Sequence, residues 1–97
     1  MPDLGEAIVV WTGWTEATWP ARDEARLVER YGSGEAASLM YHIRKLEDDF
    51  YATDARFVVA NFKAMADKAA MDFRCKHPEI SHDAVEALAW CYSWDYR

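Results

Sequence analysis

Ala36, Leu39, Met40, Ile43, Leu46 and Phe50 recur at steps of three and four residues. That is the spacing of one helical face, and it does not fit the two-residue period of a strand. The stretch 34–52 therefore reads as a long amphipathic helix, and a helix of this kind must bury its apolar face against other elements. The flanking sequence supplies them. Pro20 suits a first helical position, Asp23 and Glu24 complement a helix N-terminus, and Ala21, Ala25, Val28 and Tyr31 follow at helical spacing. Gly32 reads as a left-handed cap ending this first helix, and Ser33 as the cap of the next. A third helix is expected from a cap at Thr53 or Asp54 to about Lys76. Its stripe is Phe57, Val58, Phe62, Met65, Ala66, Ala69 and Phe73. Pro78 lies in the turn that follows, and Ser81 or Asp83 caps a fourth helix, the latter with Glu86 as a capping box.

The chain ends LAWCYSWDYR, with rings at Trp90, Tyr92, Trp94 and Tyr96. Alternation suggests a strand, but Ala84, Val85, Ala87, Leu88 and Ala89 lead in as a helix and no Gly or Pro interrupts. Helix is the better reading. It puts Trp90 and Trp94 on one face and Tyr92 and Tyr96 on nearly the opposite one, so one face is left for something else to cover. AIVVWTGW, residues 7–14, is short, apolar and β-branched, with an extended propensity. It either lies across the fourth helix, matching Trp11 and Trp14 to its rings, or pairs with another chain. The expected fold is all-α: a small bundle of four helices in residues 20–97, with an extended N-terminal arm, residues 1–19, packed on the last helix. At 97 residues it is one domain.

Composition narrows the function. The net charge is −6, which opposes a direct grip on nucleic-acid phosphates. Residues 55–77 carry +3 between flanking segments of −3 each, a pattern that suits internal complementarity between helices. No apolar run reaches the roughly 18 residues of a membrane span. Pro2, Asp3 and Glu6 replace the basic start of a signal peptide. Two cysteines, Cys75 and Cys91, do not make a disulfide framework, and a reducing cytoplasm is the expected location.

Chemistry is thinly supported. Cys75, His77 and His82 surround one turn, but Cys91 is too distant to complete a tetrahedron and no CxxC or HxxxH spacing exists. Cys75 with His77 or His42 would make a Cys–His pair that nothing orients. The GSG joint at 32–34 lacks the strand and lysine of a phosphate loop. Glu47, Asp48 and Asp49 form a run at a helix end rather than a pair across a cleft. No catalytic, cofactor or metal residue is assigned, and the chain is read as a non-enzyme.

What remains is surface. The chain holds five Trp and five Tyr, gathered toward its ends, and these residues dominate binding hot spots. The expected function is a protein-interaction module (a small adaptor, antitoxin-like factor or inhibitor) that meets a partner protein through Trp11, Trp14, Tyr92 and Tyr96, with Glu47, Asp48 and Asp49 beside them. A second copy of the chain is a candidate partner. The alternative is an acidic decoy covering the basic nucleic-acid-binding surface of a host enzyme, as a phage-encoded anti-defence protein would; the third is a metal-dependent or Cys/His domain. Chain purified without added metal should contain far less than one zinc per chain by elemental analysis. A stoichiometric zinc lost in His77→Ala or His82→Ala would establish the third reading instead.

Overall fold

Asp3, Asp23, Asn61 and Ser81 each start a helix by accepting a backbone N–H on the side chain. The computed structural model describes residues 3–14, 18–20, 22–53, 55 and 61–96, with only the backbone of Phe62. Among these residues the helices are α1 Leu4–Thr12, α2 Glu24–Tyr31, α3 Ser33–Tyr51, α4 Phe62–Lys76 and α5 His82–Asp95, and there is no strand. The fold is all-α, as the periodicity requires.

The arm packs on the last helix, but it is helical rather than extended. Three features outweigh its β-branched composition. Asp3 caps α1 by accepting from Gly5 N at 2.8 Å. Gly13, at φ 78°, ends it in the left-handed region, its N–H donating to Val9 and Val10 carbonyls. Between these ends α1 is clasped by α5, α2 and α3, so that Ala7, Ile8, Trp11 and Thr12 are all buried. Burial on several sides decides the conformation, and intrinsic propensity yields to it. Thr12 joins the helix by donating its hydroxyl to Ile8 O at 2.9 Å.

Other boundaries move by a few residues. Asp23 is the cap of α2 rather than a first-turn residue, accepting from Ala25 N at 2.9 Å, so this helix starts at Glu24 and not at Pro20. Gly32, at φ 88° and ψ 159°, joins α2 to α3 outside the left-handed helical region, and Ser33 is the first residue of α3 rather than its cap. The third expected helix does not run unbroken from Thr53 or Asp54. Asn61 is extended and accepts from Ala64 N at 2.8 Å, starting α4 afresh at Phe62. Asp54, Phe57 and Val58 lie outside the described residues, as do Ala21 and the side chain of Phe62. Ser81 caps α5 as expected, accepting from Ala84 N at 3.3 Å.

The core sits between two layers. α5 packs between α1 and α4, and α3 touches all three while holding α2 along its side. The thinnest extent of the molecule is 18 Å, which two helix layers fill. α3 contributes the stripe Ala36, Leu39, Met40, Ile43, Leu46 and Phe50, every member buried. α5 contributes Val85, Leu88 and Tyr92, each wholly buried. α1 and α5 run side by side in the same direction: Gly5 meets Ser81 at one end and Trp14 meets Trp90 at the other. The first contact is close, since a Cβ on Gly5 would lie 2.5 Å from Ser81 Oγ.

Deleting residues 1–14 should therefore unroof α5. Ile8 and Trp11 alone account for about 2–3 kcal/mol each, so urea unfolding should show a loss of several kcal/mol and the truncated chain should bind a hydrophobic dye. A truncated chain that melts within about a degree of the full one would contradict this packing.

Candidate functional site

The aromatic residues divide into an interior knot and an outer groove. The knot lies where α3 and α5 end. Tyr92 is wholly buried, with its ring 5.8 Å from Phe50, 5.2 Å from Tyr51 and 4.9 Å from Tyr96. Phe73 of α4 closes it at 5.2 Å from Phe50. Edge-on and tilted geometries of this kind suit ring quadrupoles.

Arg22 locks the knot from outside. Its Nη2 donates to both oxygens of Asp95, at 2.9 and 2.7 Å, and its Nη1 to Glu47 Oε2 at 2.8 Å and the Tyr51 hydroxyl at 3.3 Å. Tyr51 in turn donates to Asp95 Oδ2 at 2.6 Å. Partial burial opposes the Arg22 charge, yet Asp95 and then Glu47 more than offset it, so the guanidinium is held more firmly protonated than usual. Burial, followed by the bond to Asp95, raises the Tyr51 phenol far above its ordinary range.

This geometry separates the residues expected to form one site. Trp11 is 6% exposed and Tyr92 is fully enclosed, so neither presents a ring to a partner. Tyr96, 38% exposed, lies on the rim of the knot. Glu47 is committed to Arg22, and Asp49 to His77, whose Nε2 lies 2.8 Å from Oδ2. Asp48 points outward. The acidic run is thus split across different contacts, whereas Trp14 stands apart, half-buried against Trp90 at 5.3 Å.

Trp14 and Trp90 wall one side of an open groove of about 550 Å³ over α5. Its floor is made of small residues, Ala66 and Ala70 from α4 with Ala89 and Ser93 from α5. Met71 forms the far rim, 64% exposed. Asp67, Arg74, Cys75 and Glu86 border it, and the charges are already matched: Lys63 with Asp67 at 3.2 Å, Arg74 with Glu86 at 3.1 Å. A second hollow, about 690 Å³ between α1 and α2, lies on the other side of Trp14 and is bordered by the Arg30–Glu6 ion pair. Of the residues expected at a partner surface, Trp14 lines this groove; Met71, Ala66 and Ala70 line it too and are not among those expected. Their signal is negative. Met71 is a large apolar residue off the α4 stripe, and the alanines leave the space beside it empty.

The ligand-bearing side chains do not converge. Among the described residues no group of three or more His, Cys, Asp or Glu is placed to hold a metal ion. His77 faces Asp49 and Glu79 and stacks on Phe73 at 4.8 Å, while His82 Nδ1 lies 3.1 Å from Arg74 Nη2. Cys91 is enclosed in the core. Burial pushes its thiol up to about 12; Arg22 opposes this, and Asp95 and Glu47 reinforce it. No helix among the described residues is long and apolar enough to cross a membrane. No protein-family model, curated protein or solved structure matches this chain.

The two thiols should behave oppositely. Native chain at pH 8 should react rapidly with an aromatic disulfide reagent at exposed Cys75 only, with Cys91 reacting after unfolding. Rapid labelling of both in the native chain would mean that Cys91 is not enclosed.

Proposed function

We propose that the chain is a non-enzymatic interaction module, which binds a protein partner through the groove between Trp14, Trp90 and Met71. One observation carries the reading. The groove combines aromatic walls, an alanine floor and an exposed methionine rim, with flanking charges that are internally neutralised. Such a surface gains by excluding water from an apolar ridge, and the charges at its margin are engaged in ion pairs within the chain. An α-helical ridge suits it, since an open trough over one helix accepts the side chains of another at steps of three and four.

The acidic-decoy reading is less well supported. A decoy should present rows of free carboxylates, and here Glu47 and Asp49 engage Arg22 and His77 within the chain. The two readings also differ in salt response, because burial of apolar surface is weakly screened and charge pairing strongly.

The reading is tested by cross-linked capture in the native host, with Met71→Glu and Tyr41→Glu as matched baits; Met71 and Tyr41 are 64% and 58% exposed, and Tyr41 lies on α3 away from the groove. The wild type and Tyr41→Glu should capture the same protein at low and high salt, and Met71→Glu should lose it. Capture that survives Met71→Glu but vanishes with salt would replace the groove by the decoy.

A further inference from the structure

We draw no further inference here: the strongest candidate, the hollow of about 690 Å³ between α1 and α2 beside Trp14, has its Glu6 and Arg30 charges paired within the chain, and nothing in the structure shows what covers the wall that Val9 and Val10 give it.

Discussion

Enclosure of the Tyr92 ring is the constraint on which the remainder of the molecule depends. A tyrosine has more surface to bury than the aliphatic residues around it, and at full burial it needs contacts on every side. Phe50 and Tyr51 supply them from α3, and Tyr96 from the next turn of α5. Placing that face of α5 inward turns Trp90 outward, and the outward ring needs partial cover, which Trp14 provides from the end of α1. The groove is thus a by-product of satisfying the core. Once the tyrosines go in, one tryptophan face is left beside a helix whose facing residues are alanines.

Arg22 resolves a conflict that the helices create. Asp95 closes α5 in a turn that holds no basic residue, at the negative end of the macrodipole, where a carboxylate is unfavourable. The guanidinium arrives from the segment before α2, answers that charge and Glu47 together, and takes in the Tyr51 hydroxyl. A single exposed ion pair is worth little, but a fork shared by two carboxylates and a phenol ties three parts of the chain at one point. Thr53 and Lys68 do the same on a smaller scale: the hydroxyl and then the ammonium hold Asp72 below the usual carboxylate range. That contribution is present at neutral pH and is lost as pH falls through the lowered value.

Much of this was legible beforehand, for identifiable reasons. α3 announces itself because a long helix covering one core has a regular stripe, and every predicted member of that stripe is buried. α5 was legible despite its alternating rings, since the alanine-rich lead-in leaves no place for a break. α1 reads as extended from its composition, although Asp3, Glu6 and Gly13 stand in the sequence as start and stop signals. Its β-branched interior favours an extended chain, and the caps at its ends together with burial by three neighbours outweigh that preference. The site was less legible than the fold. Tryptophan and tyrosine content points to surfaces and cores alike, so Trp11 and Tyr92 were grouped with Trp14 although they serve the interior. A hollow has no residue of its own. It is defined by what alanines omit, and that becomes visible only when two helices are set side by side.

The same-direction pairing of α1 with α5 has a consequence for how the chain is made. Nearly the whole sequence separates Gly5 from Ser81 and Trp14 from Trp90. During synthesis α1 emerges well before the helix that roofs it. Ile8 and Trp11 therefore stay without their final cover while residues 15–81 are made, and the closing step must wait until α5 is released. Local hairpins such as α2 with α3 can form meanwhile around the short joint at Gly32. The pairing is kinetically a long loop to close, and its most vulnerable interval is the one before α5 has been added.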